Sequence, residues 1–109
     1  MKSALRILLL LSGLASAAFA AASPPSARRI VFLGDSITHS GQYIEFVETV
    51  LLANTDKTYE ILDLGLSSET VSGLSEEGHA DGKFPRPDLH ERLDRVLAKT
   101  KPDLVIACY

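Results

Sequence analysis

Gly34, Asp35 and Ser36 break an apolar run, IVFLGDSITHSG (residues 30–41), where a buried strand would give way to a helix. A serine at such a junction has two uses. Its hydroxyl can accept a backbone N–H and cap the helix. Alternatively it can attack a carbonyl carbon, with the charge that develops lying at the positive end of the helix dipole. Gly34 suits either use, because it turns tightly and leaves room above the strand end. Nucleophilic use also needs N–H groups aimed at the oxyanion. The backbone of Ser36 and of Gly65, in LDLGLSSET (62–70), are the candidates. It needs a general base as well. His39 lies three residues beyond Ser36 but has no carboxylate partner in the sequence, so it reads as a substrate contact or cap rather than a base.

The remaining polar residues read more plainly. Asp35 is a turn residue accepting backbone N–H groups, and Ser67, Ser68 and Thr70 are loop residues of the kind that bond their own backbone. Glu69, Glu76, Glu77 and Asp81 read as a solvated acidic face rather than a cation site. His79, in a polar loop, and His90, on an exposed helix face, read as solvated. Cys108 is the only cysteine, so neither an internal disulfide nor a zinc site is expected; within an apolar strand it reads as a small buried hydrophobe. No glycine-rich phosphate loop is present, and no cofactor or metal is expected.

The elements that would position these groups alternate along the chain. RIVFLG (29–34) is a continuous apolar run rich in β-branched residues, which predicts a strand buried on both faces, as in a parallel sheet. GQYIEFVETVLLANT (41–55) predicts a helix with Tyr43, Phe46, Val47, Val50 and Leu51 on its apolar face. Thr38 or Ser40 is its expected cap and Asn54 its expected stop. YEILDLG (59–65) is the second strand; 67–78 is a polar stretch with one or two helical turns at most; 79–87, with two prolines, is a loop. DLHERLDRVLAKT (88–100) predicts a helix capped by Asp88, with Leu89, Leu93, Val96 and Leu97 on one face and Asp88–Arg92 and Glu91–Arg95 as i,i+4 pairs. Lys101-Pro102 ends it and DLVIACY (103–109) is the third strand. The order predicts an open, doubly wound α/β sheet of three parallel strands with crossover helices. In such sheets ligands gather at the carboxyl ends of the strands, where Ser36 and Gly65 fall.

The N-terminus reads differently. Lys2 and Arg6 precede an apolar stretch, and Ala18-Phe19-Ala20 fits a small-x-small cleavage site. Residues 1–20 therefore read as a secretory signal peptide, with a cut after Ala22 as the alternative, residues 21–28 as a linker and 29–109 as the domain. A secreted or periplasmic product without a stable membrane span is expected. The whole 109-residue chain carries a net charge of −3. Loss of the leader removes two basic residues, leaving 9 basic against 14 acidic and a net charge of −5. That acidity argues against nucleic-acid binding.

The run IVFLGDSITHSG resembles the first signature block of the SGNH hydrolases, also called the GDSL esterase/lipase family. LDLGLSSET resembles the second, with Asp63 where Asn is usual and Ser68 where a second Gly is common. The resemblance covers residues 29–109. It implies a flavodoxin-like three-layer α/β/α fold and a cofactor-free serine esterase acting on an acyl ester, either an O-acylated carbohydrate or a small lipid. Ser36 would be nucleophile and oxyanion donor, Gly65 the second oxyanion N–H, and His39 a substrate contact. The family's Gly-x-Asn-Asp and Asp-x-x-His blocks are absent. The expectation is thus an incomplete domain, inactive by itself, whose raw sheet edge leaves it open to self-association or poor solubility, with no oligomeric state expected. The alternative is a non-catalytic truncated product or a flavodoxin-like binding module.

Overall fold

The computed structural model describes residues 26–109. The expected signal peptide lies outside the described residues. Three parallel strands form an open sheet: β1 (Arg29–Gly34), β2 (Glu60–Asp63) and β3 (Leu104–Cys108), in the spatial order β2-β1-β3. Ile30 pairs with Ile61 on one side and with Leu104 on the other. Connecting them are a single-turn helix α1 (Ser36–His39), a longer α2 (Gln42–Asn54) and α3 (Leu93–Thr100). Short 3-10 turns occupy His79–Gly82 and Leu89–Glu91. The chain is α/β, as its pattern predicts.

β1 is the axis of the fold. Its unbroken apolar run works because both faces are covered. Ile30 and Phe32 pack with Ile44 and Leu51 of α2; Val31 and Leu33, on the opposite face, pack with Leu89 and with Leu93 and Val96 of α3. None of these four β1 residues is more than 1% exposed. At the amino end of the strands the Asp103 carboxylate accepts the N–H groups of Arg28 (2.9 Å) and Arg29 (2.8 Å). Those two bonds, Arg29's first, hold the Asp103 pKa below the usual carboxylate value. The Arg29 side chain donates to Glu60 of β2 (2.6 Å) and to the Thr100 carbonyl at the end of α3 (2.8 Å).

Several local expectations change. The segment 36–55 holds two helices, and neither Thr38 nor Ser40 caps the second. Gly41, in the left-handed region (φ 77°), stands at the start of α2 without a side-chain cap. Thr38 is buried and its hydroxyl meets Tyr43 Oη at 2.9 Å, while Ser40 Oγ donates to the Ile37 carbonyl. The Tyr43 ring packs edge-on against Phe32, so α2 buries Ile44 and Leu51 and leaves Phe46 and Val50 on its exposed flank. The segment 88–100 also divides. Asp88 caps the 3-10 turn, accepting the His90 N–H (2.9 Å), and α3 starts at Leu93. Asp88–Arg92 and Glu91–Arg95 do not form as ion pairs among the described residues. Leu97 stays exposed, and so does Cys108, because β3 is an edge strand of the described sheet and leaves one flank open.

Gly34 sits where β1, β3 and α1 meet. A Cβ added there would lie 2.0 Å from Thr38 Oγ1 and 2.4 Å from the Cys108 carbonyl oxygen. Gly34→Ala is therefore expected to lower unfolding stability by about 3 kcal/mol in urea denaturation.

Candidate active site

At the carboxyl end of β1 the capping question resolves in favour of Asp35. Its Oδ1 accepts the Ile37 N–H (2.9 Å) and its carbonyl accepts the His39 N–H (2.9 Å). Ser36 is the first residue of α1. It is exposed, and its hydroxyl and its N–H have no hydrogen-bond partner among the described residues. The hydroxyl is therefore not consumed by capping.

The β2 loop runs directly beside it. Leu64 N–H donates to the Phe32 carbonyl (2.9 Å) and Leu66 N–H to the Gly34 carbonyl (2.8 Å), which extends the parallel ladder past Asp63. Gly65 presses on the Thr38–His39 peptide so closely that a Cβ would lie 2.2 Å from the His39 nitrogen. His39 Nδ1–H donates to the Gly65 carbonyl (3.2 Å), since a carbonyl can only accept; the neutral ring then keeps Nε2 as an acceptor. Gly65 thus lies against the His39 end of α1, and Ser36 is the first residue of the same helix.

One expected role does not fit this arrangement simply. The Gly65 N–H donates to Asp63 Oδ1 (2.9 Å), so it is already engaged. The next turn is closed by Glu69 N–H to the Leu66 carbonyl (3.0 Å) and carries Ser68 in the left-handed region at φ 66°. The N–H groups of Ser67 and Ser68 have no partner among the described residues. Thr70 bonds the Pro87 and Leu89 backbones, and its hydroxyl reaches the Leu74 carbonyl.

The acidic residues do not form one solvated face. The Glu69 side chain is fully buried and is gripped by both arms of Arg92, Nε to Oε1 at 2.5 Å and Nη2 to Oε2 at 2.7 Å. Tyr109 Oη donates to the same carboxylate (2.6 Å). Burial, then that contact with Glu69, pushes the Tyr109 phenol above its ordinary pKa; Glu69 likewise raises the Arg92 guanidinium. No local sequence signal marks this pairing, because Arg92 stands at the break between the 3-10 turn and α3 and turns inward only there. Glu76, in the outer loop, takes a two-pronged contact from Arg86 (2.5 and 2.6 Å). His79 is shielded rather than solvated, 3.4 Å from Glu76 and edge-on to Phe84. His90 is exposed, but its Nε2–H donates to the Val71 carbonyl (3.0 Å).

A cleft of about 450 Å³ lined by Arg28, Arg29, Tyr59 and Lys101 lies at the amino ends of the strands, away from Ser36. Among the described residues no cluster of three or more His, Cys, Asp or Glu could hold a metal ion, and no helix is long and apolar enough to cross a membrane. Comparison with protein-family models, curated protein sequences and solved structures gave no match.

The Arg86 contact, first among its causes, lowers the Glu76 carboxyl from 4.5 to about 2. Because the folded value lies below the unfolded one, the contact contributes fully above pH 4.5 and is lost as pH falls through about 2. Carboxyl-detected NMR titration is expected to place the Glu76 midpoint near 2, and Arg86→Ala to return it toward 4.5.

Proposed function

We propose that this chain carries the nucleophile of a secreted serine esterase of the SGNH (GDSL) type, acting on an acyl ester of a carbohydrate or a small lipid. The observation that carries the reading is the Ser36 hydroxyl: Asp35 takes the capping bond, and the hydroxyl stands exposed at the start of α1 with no hydrogen-bond partner among the described residues. In this reading Ser36 Oγ attacks the ester carbonyl carbon and its proton passes to a general base. The carbonyl oxygen, now negative, is held by the Ser36 N–H and by an N–H of the β2 loop. Gly65 serves as that second donor only if Asp63 releases it; the unengaged N–H groups of Ser67 and Ser68 need no such release. His39, with Nδ1 tied to the Gly65 carbonyl, is the substrate contact in this reading. The reading requires a base with its orienting carboxylate, as an Asp-x-x-His block would supply, and a further oxyanion donor, as a Gly-x-Asn-Asp block would supply; neither block occurs within residues 1–109. The leader at residues 1–20 would direct export.

A second reading is a non-catalytic product or binding module. It is favoured by the engagement of the Gly65 N–H and by the lack, among the described residues, of a histidine paired with a carboxylate near Ser36.

Two measurements test the first reading. The gene beyond codon 109 is expected to encode Gly-x-Asn-Asp and then Asp-x-x-His. The whole gene product is expected to hydrolyse p-nitrophenyl acetate, and Ser36→Ala to reduce kcat/KM by at least about 10³-fold. The 109-residue chain is expected to show no turnover. Hydrolysis that survives Ser36→Ala would sink the esterase reading.

A further inference from the structure

A carboxylate withdrawn from water is unfavourable unless its oxygens are bonded. Both oxygens of Glu69 are bonded, and the way they are bonded has a geometric result. Arg92 Nη2, besides gripping Glu69, donates to the Leu64 carbonyl (2.8 Å). One guanidinium therefore holds both ends of the segment 64–69. Between those ends lie Gly65, Leu66, Ser67 and Ser68, with Ser68 in the left-handed region that a residue bearing a side chain rarely adopts (φ 66°). Such a conformation persists only where its surroundings over-determine it. The surroundings here are the Arg92 fork, the Tyr109 hydroxyl on Glu69, and the Leu66–Gly34 backbone bond. An apolar pair would fill the same volume but could not reach Leu64 O, and a lysine could not serve both acceptors with a rigid fork.

We propose that Arg92 is a positioning residue: by gripping the Leu64 carbonyl and the Glu69 carboxylate together, it fixes the Gly65–Ser68 backbone, which packs against the Thr38–His39 peptide at Gly65 and is tied by the Leu66 N–H to the Gly34 carbonyl, two residues before Ser36. The catalytic consequence rests on the esterase reading; the geometric one does not. Tyr109 is an accessory, adding one bond to Glu69 from the end of β3.

The test uses residue-resolved amide hydrogen exchange on the 109-residue chain. The variants are Arg92→Lys, which keeps the charge and loses the fork, and Arg92→Met with Glu69→Gln, which leaves no unpaired buried charge. In both, exchange at Leu66 and Glu69 is expected to accelerate at least about tenfold while Val31 and Leu33 in β1 change far less, the pattern of local opening. A purely global loss of stability would accelerate all four together and would overturn the proposal, as would unchanged exchange at Leu66 and Glu69 in a folded variant. In the whole gene product, Arg92→Lys is expected to lower kcat for p-nitrophenyl acetate about 10- to 100-fold with little change in KM. An unchanged kcat in an active enzyme also overturns it. If the unmodified product shows no Ser36-dependent hydrolysis, the esterase reading fails, and the exchange data alone decide the role of Arg92.

Discussion

The absence of a side chain at Gly34 is the constraint on which the carboxyl end of this sheet depends. Two backbones and a side chain converge there: β1 itself, the end of β3 through the Cys108 carbonyl, and α1 through the Thr38 side chain. No methyl group fits between them. Because the approach is so close, Thr38 can be buried under the turn with its hydroxyl on Tyr43, and Tyr43 in turn sets which side of α2 faces Phe32. The same approach lets Leu66 bond the Gly34 carbonyl and draws the β2 loop alongside Ser36. The rotation of a helix and the placement of a loop thus follow from one position with no side chain.

Aspartates then shape what that convergence leaves. Asp35, Asp63 and Asp88 each accept the N–H two residues ahead, of Ile37, Gly65 and His90. This local bond is available to a short carboxylate and competes with continued helix or strand. At Asp35 it starts α1 and leaves Ser36 unencumbered. At Asp63 it occupies an amide that the sequence resemblance would assign elsewhere. At Asp88 it begins the turn that swings Arg92 inward. The same small motif therefore frees one group, engages a second and aims a third.

The parallel strands and their apolar core were legible because a run such as RIVFLG has no other sensible environment, and the helices followed from spacing. Ser36, His39 and Gly65 could be named from sequence; the first two bound α1, and Gly65 lies against its His39 end. What was not legible depended on partners distant in the chain. Glu69 looks solvated when read with Glu76 and Glu77, because nothing local shows that Arg92, 23 residues on, will enclose it. Arg92 itself looks like one half of an exposed pair with Asp88 until the helix is seen to break at that point. Phe46 and Val50 fit an apolar stripe equally well by periodicity, and only Tyr43's contacts choose between the two faces. Cys108 reads as buried by its neighbours in sequence, whereas its burial depends on what stands next to β3.

The position of β1 has a kinetic side as well. It is the first strand in the chain, yet its two partners come far later: Ile30 waits 31 residues for Ile61 and 74 for Leu104. Contacts of such sequence separation form slowly, since a long loop must close before any pairing rewards it. During synthesis the most apolar strand of the described sheet therefore remains without one neighbour until the last of the three strands emerges. A nascent chain in that condition exposes an unpaired, uncharged edge, the feature on which chaperones and aggregation both act.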